Sequence, residues 1–132
     1  MNGDAKAFRS VRSAAAPAPI GPYSQAVESG EWVFCSGQVG LDPTTGELVT
    51  GGVAEEARRA LSSLEAILAE AGLKFDDVVK TTIYLVRMDD FAVVNEVYDE
   101  FVTPPFPARA TVAVAALPRG ARVEIDAVAR RR

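Results

Sequence analysis

Arg109 closes the run Phe106-Pro107-Ala108-Arg109 where a loop enters a strand. The neighbouring proline fixes its backbone, so a guanidinium here is held in one pose. Its two parallel N–H groups can then grip a carboxylate, or close an internal salt bridge to one of the chain's many acids. In Arg122-Val123-Glu124-Ile125-Asp126 the period of two puts Glu124 and Asp126 on one strand face and Val123 and Ile125 on the other. Strand carboxylates are ordinarily solvated. On a face that borders a pocket, Glu124 can orient a water or accept its proton. An acidic pair also serves glycosidases, but one strand pitch is not a specific signal for them. In Ser36-Gly37-Gln38, Gly37 permits close backbone approach and its N–H can meet an anion. Tyr23 reads as a lid or a turn residue, and Asn95 as a contact or an exposed polar position. Cys35, between Phe34 and Ser36 with no activating cation, reads as a small buried hydrophobe.

The chain has 132 residues and no histidine, which excludes Ser-His-Asp triads, Cys-His pairs, HExxH zinc helices and imidazole proton shuttles. No Gly-rich phosphate loop, CxxC pair or EF-hand pattern is present, so the chemistry falls to carboxylates, hydroxyls, Lys, Arg, backbone and water. With 14 Lys and Arg against 18 Asp and Glu, the net charge of −4 argues against a general nucleic-acid binder. The Arg130-Arg131-Arg132 tail reads as solvated. A lone cysteine forms no intramolecular disulfide, which fits a reducing, cytoplasmic setting. No apolar run is long enough for a signal peptide or a membrane span. Residues 1–19 read as a flexible lead-in, or more weakly as an organelle presequence, and residues 20–132 as a single domain.

These residues need a scaffold. Residues 25–28 and 32–36, separated by Ser29-Gly30-Glu31, predict a hairpin. Ala57, Leu61, Leu64, Leu68 and Ala71 recur at steps of four, three, four and three, one helical stripe over 53–71, with Gly72 placed to end it. The β-branched stretch 78–86 predicts a strand. A helix over about 90–101 follows, with Asp89 or Asp90 as cap and Phe91, Val94, Tyr98 and Phe101 on one face. Strands over 110–115 and 122–129 complete a ββαβαββ order. Two helices cover one face of such a sheet, yet the strands are apolar on both: Val112 and Val114 oppose Ala113 and Ala115, while Val79, Ile83 and Leu85 oppose Val78 and Val86. The uncovered face is either shallow and wet or buried between subunits of a homo-oligomer.

Taken together, Ile20-Gly21-Pro22-Tyr23-Ser24-Gln25-Ala26, Ser36-Gly37-Gln38, Gly51-Gly52-Val53, Val79-Lys80-Thr81-Thr82, Phe106-Pro107-Ala108-Arg109-Ala110 and Val123-Glu124-Ile125-Asp126-Ala127-Val128-Ala129 resemble the RidA family, also called the YjgF family. The resemblance runs from about Ala16 to Arg130. It implies an α+β, chorismate-mutase-like fold with two helices on one sheet face, and a homotrimer with clefts between subunits. It implies hydrolytic deamination of enamines and imines, above all 2-aminoacrylate, with no cofactor and no metal. By that analogy Arg109 looks like the substrate carboxylate clamp, helped by the backbone of Gly37, and Glu124 like the residue that positions the attacking water. Tyr23, Ser36 and Asn95 resemble pocket-lining positions. Several members carry Cys two residues after the motif Arg, where this chain has Thr111; the thiol is lost and a contact through the backbone carbonyl is kept. The family also includes members assigned binding, chaperone-like or translation-inhibiting roles, and others assigned endoribonuclease activity, against which the acidic composition and missing histidine count.

Overall fold

Along the last strand Val123, Ile125, Ala127 and Ala129 are buried while the residues between them are half-buried, so the period of two in the sequence becomes two chemically distinct sheet faces. The computed structural model describes residues 6–132. The elements are β1 (Arg9–Val11), β2 (Ala26–Ser29), β3 (Trp32–Val39), α1 (Val53–Glu70), β4 (Val78–Leu85), α2 (Phe91–Asp99), β5 (Ala108–Ala113) and β6 (Val123–Arg130). They form one six-stranded sheet in the order β1-β2-β3-β6-β4-β5. Every pairing is antiparallel except β4 with β5, whose parallel register needs the α2 crossover between them. The fold is α+β, with both helices contributing to the core on one sheet face.

The α1 stripe is the centre of that core. Leu61, Leu64, Ile67 and Leu68 have no exposed surface, and each contributes about 1.5–3 kcal/mol of burial before entropy. Gly72 takes φ 78° and ends the helix, with its N–H donating to the Ala69 carbonyl at 2.9 Å and Leu73 N–H to Leu68 at 2.8 Å. These are the paired bonds of a Schellman cap.

Several expectations need correction. Strand β1 adds an element to the ββαβαββ order: the lead-in is structured from Arg9, although residues 1–5 of it lie outside the described residues. The cause is Gln25, fully buried. Its side-chain amide accepts from Ser13 N–H at 2.6 Å and donates to the carbonyls of Ser13 (3.1 Å) and Pro17 (2.8 Å). A buried amide satisfied only by the lead-in backbone fixes that backbone. Helix α2 starts from a 3-10 turn over Met88–Asp90, so neither Asp89 nor Asp90 makes a side-chain cap bond. Its buried residues are Val94, Val97 and Tyr98, whereas Phe91 stays 39% exposed. A register shift between Val78 and Lys80 turns Val79 outward, away from the face of Ile83 and Leu85. The terminal arginines are paired rather than simply solvated: Arg130 with Glu31, Arg131 with Glu28 and Arg132 with the buried Asp77.

The opposite face of the sheet is uncovered by helices. Phe34 (45% exposed) and Val112 (41%) lie there as large apolar side chains in the open. Among the described residues, no helix is long and apolar enough to cross a membrane.

Candidate active site

The first half of the site is built on β5 and α2. Arg109 pairs with Thr81 in the β4–β5 register, which directs its side chain to the helix-covered face. There its guanidinium stacks over Tyr98, 5.0 Å from the ring centroid, and lies 5.6 Å from that of Phe91. Nη1 donates to Asn95 Oδ1 at 2.6 Å. Phe91, Asn95 and Tyr98 stand at steps of four and three, one stripe of α2, so a single helix supplies all three supports. The group borders a cleft of about 380 Å³ whose walls include the acidic Asp99 and the apolar Val102, Phe106 and Pro107. A posed planar cation with remaining N–H donors, beside an apolar wall, suits a small carboxylate with an apolar substituent.

The second half is built on β3 and β6. Between Cys35↔Ala127 and Gln38↔Ile125 the register slips, so Ser36 and Gly37 together face Asp126. Two residues against one is a β-bulge, which bends the strand and frees backbone groups from the regular ladder. Glu124 fills the space this leaves: a Cβ on Gly37 would lie 2.8 Å from Glu124 Cδ and 3.0 Å from Cγ. Burial, and next the charge of Asp126, push the Glu124 carboxyl above its usual range. Asp126 itself accepts from Thr82 N–H at 3.2 Å and from the Tyr84 hydroxyl at 3.0 Å. Cys35 lies in the core beneath, its thiol pushed up to about 12 by burial and, secondarily, by Asp126, so it is a poor nucleophile. Ser36 Oγ donates to the Ser24 carbonyl at 2.6 Å, fastening the bulge to the segment before β2.

The two halves do not meet within one chain. Tyr84 pairs with Glu124 and Ile83 with Ile125, while Ile83 pairs with Thr111. Arg109 and Thr111 therefore share the helix-covered face, and Glu124 occupies the open one. Thr111 lines a small recess with Phe91, Asn95 and Arg109, and its buried Oγ1 has no hydrogen-bond partner among the described residues. Tyr23 sits in the loop before β2, half exposed, and its hydroxyl accepts only a long 3.4 Å bond from Ile20 N–H. Sequence reasoning did not identify the stacking roles of Phe91 and Tyr98, nor the contact of Tyr84 with Asp126. The first was available as the 91-95-98 helical spacing; the second depends on a cross-strand register with no local signal. Among the described residues no group of three or more Cys, Asp or Glu side chains converges to hold a metal ion.

Comparison with known proteins follows the same outline. The family described as Endoribonuclease L-PSP matches residues 13–131. A Mus musculus protein named 2-iminobutanoate/2-iminopropanoate deaminase is 58% identical over 114 residues, covering 86% of this chain and 84% of its own length. A Homo sapiens protein of the same name is 53% identical over 121 residues, covering 92% and 88%. Among solved structures, the YjgF gene product of E. coli superposes with a TM-score of 0.88 at 43% identity, covering 94% of this chain and 99% of that one. TdcF of E. coli, solved with bound serine, gives 0.89 at 40% identity over the same shares.

Proposed function

The chain belongs to the endoribonuclease L-PSP family, also known as RidA or YjgF, and on that premise we propose that it is a 2-iminobutanoate/2-iminopropanoate deaminase. Its substrates are the reactive enamines and imines of small 2-oxo acids. 2-Aminoacrylate, through its imine tautomer 2-iminopropanoate, goes to pyruvate and ammonia. The observation that carries the reading is Arg109, stacked and hydrogen-bonded into one pose at the mouth of a cleft. A ligand with a carboxylate of this size is also what the TdcF relative holds, as serine.

The reaction needs little more than placement. Arg109 fixes the carboxylate, with the backbone of Gly37 as a second contact and Tyr23, Ser36, Asn95 and Thr111 around the pocket. Water held by Glu124 adds its oxygen to the imine carbon, and the proton it loses reaches the nitrogen through the carboxyl group. The resulting carbinolamine passes its hydroxyl proton to nitrogen by the same route as the C–N bond breaks, leaving the 2-oxo acid and ammonia. Two protons thus move from oxygen to nitrogen. A carboxyl raised toward the working pH serves better for this than an ordinary one. The substrate also hydrolyses in plain water, so orientation supplies much of the acceleration required.

Arg109 and Glu124 lie on opposite faces of one sheet, so they complete a site only across a subunit boundary. We read the open face, with Phe34 and Val112 exposed, as the surface on which three copies meet and bring the Arg109 edge of one to the Glu124 face of the next. Burial of this face accords with its composition. A protein that binds small carboxylates without turnover would use the same clamp, whereas the net charge of −4 counts against RNA.

The assay generates 2-aminoacrylate in situ with a dehydratase and follows ammonia and pyruvate. Acceleration over buffer is expected, and Arg109→Ala should lose about 10- to 150-fold in kcat/KM, the equivalent of about 1.5–3 kcal/mol for a charge-assisted contact. Pyruvate formation no faster than in buffer refutes the enzyme, and full activity in Arg109→Ala refutes Arg109 as the carboxylate clamp. Sedimentation tests the assembly; a stable monomer with full activity refutes the shared site.

A further inference from the structure

Asp126 belongs to no step described above, yet it is the most tightly held carboxylate on the open face. Its Oδ1 accepts the Thr82 N–H at 3.2 Å and its Oδ2 the Tyr84 hydroxyl at 3.0 Å, both from β4. Two donors from one strand hold the carboxylate group in a single place. The register then matters. Tyr84 is the direct cross-strand partner of Glu124, and its hydroxyl reaches diagonally to Asp126, so one tyrosine flanks both acids. Glu124 and Asp126 are two residues apart on the same strand face, with the bulge of Ser36 and Gly37 opposite them.

We propose that Asp126, clamped by the Tyr84 hydroxyl and the Thr82 amide, is a positioning residue for Glu124, a fixed carboxylate held beside it on the same strand face where the proton of the attacking water is taken up and given back. The inference deepens the deaminase reading and rests on it, because the proton Glu124 carries is the one water must lose. A free carboxylate would release that proton to bulk water at neutral pH. A like charge held nearby makes Glu124 a better acceptor, and burial acts in the same direction.

Within one chain the surroundings leave Asp126 as the dominant charge; in the proposed assembly the Arg109 guanidinium of the adjoining copy acts in the opposite direction and is the same in every variant compared. From β3 Glu124 faces Gly37 and Val39, neither of which titrates. From β4 it faces Tyr84, whose own hydroxyl is pushed up by burial and next by its bond to Asp126, so it stays neutral. Lys80 lies further along β4 and donates to Thr82 Oγ1 at 3.3 Å. On its own strand Arg122 is committed to the buried Glu56, with Nη1 donating to the carboxylate at 2.6 Å.

The test reads Glu124 directly. Carboxyl carbon NMR of the full-length protein, with the resonance assigned by its loss in Glu124→Gln, gives the titration midpoint in the wild type, Asp126→Asn and Asp126→Glu. Asp126→Asn keeps the shape and removes the charge, and should lower the midpoint by roughly half to one pH unit. Asp126→Glu restores the charge and should bring it back toward the wild type. No movement in Asp126→Asn, or an equal movement in both variants, overturns the proposal. The acid limb of kcat/KM on 2-aminoacrylate should move to lower pH by the same amount as the midpoint. A midpoint that moves while the limb stays fixed upholds the hold of Asp126 on Glu124 and refutes the use of Glu124 in the reaction.

Discussion

Gly37→Ala separates activity from stability at this site. The Gly37 φ lies outside the left-handed region, so alanine adopts the backbone without strain. Its methyl, however, would sit 2.8 Å from Glu124 Cδ and 3.0 Å from Cγ. Carbon atoms settle near 3.5–4.0 Å, so the carboxyl group must move by about 0.7 Å or more. It can do so, being the far end of a flexible side chain rather than backbone, and the relief keeps the folding cost small. Replacing glycine by alanine at a compatible position stabilises by about 0.4–1 kcal/mol through the unfolded chain, which offsets what remains of the contact. The reaction has no such latitude, since a displacement of about 1 Å costs on the order of 10²-fold, or about 2.7 kcal/mol of transition-state stabilisation. Gly37→Ala should therefore lower kcat/KM for 2-aminoacrylate about 100-fold while its melting temperature stays within about 4 °C of the wild type. Wild-type kcat/KM would show that Glu124 does not act from the position the bulge gives it. A melting temperature lowered by 10 °C would show that the backbone does not accept a side chain at all.

Two further expectations concern the frame. Glu56 is fully buried and accepts both the N–H of Arg122 at 2.7 Å and its guanidinium at 2.6 Å, tying the first turn of α1 to the entry of β6. Arg122→Met leaves that buried carboxylate with the main-chain donor alone; because the Arg122 side chain is half exposed, the loss should stay below about 3 kcal/mol in urea unfolding, and an unchanged midpoint would mean the pair contributes nothing. Glu28 is held below the usual carboxylate range first by its bond from Arg9 and further by the charge of Arg131, against the opposing effect of burial. A carboxyl lowered by folding binds fewer protons in the native state than in the unfolded chain. Its contribution is thus complete above the unfolded value and is lost as pH falls through the native one. Amide exchange protection in β1 should hold from neutrality to about pH 4.5 and fall below it, and Glu28→Gln should abolish that dependence; identical profiles would remove Glu28 as its cause.

Much of the fold was legible because it follows from local periodicity. The α1 stripe, the glycine that ends it and the alternation of β6 each depend on residues a few positions apart, and the structure reproduces them. The errors have a common origin in long-range partners. The lead-in is ordered because Gln25 reaches back to Ser13 and Pro17, the terminal arginines are paired because β6 ends beside Glu28, Glu31 and Asp77, and Val79 faces outward because the sheet register slips beside it. None of these is encoded at neighbouring positions.

The same division holds for chemistry. Residue types alone excluded imidazole mechanisms and left an arginine, a glutamate and a glycine as candidates with open alternatives, and the family resemblance then gave each a role. Only the tertiary structure decided what each faces. The α2 crossover brings Phe91, Asn95 and Tyr98 under Arg109, the bulge at Gly37 opens space for Glu124, and the register sets Tyr84 against Asp126. It also put the arginine and the glutamate on opposite faces of one sheet, because side chains alternate along a strand and neighbours in register share a face.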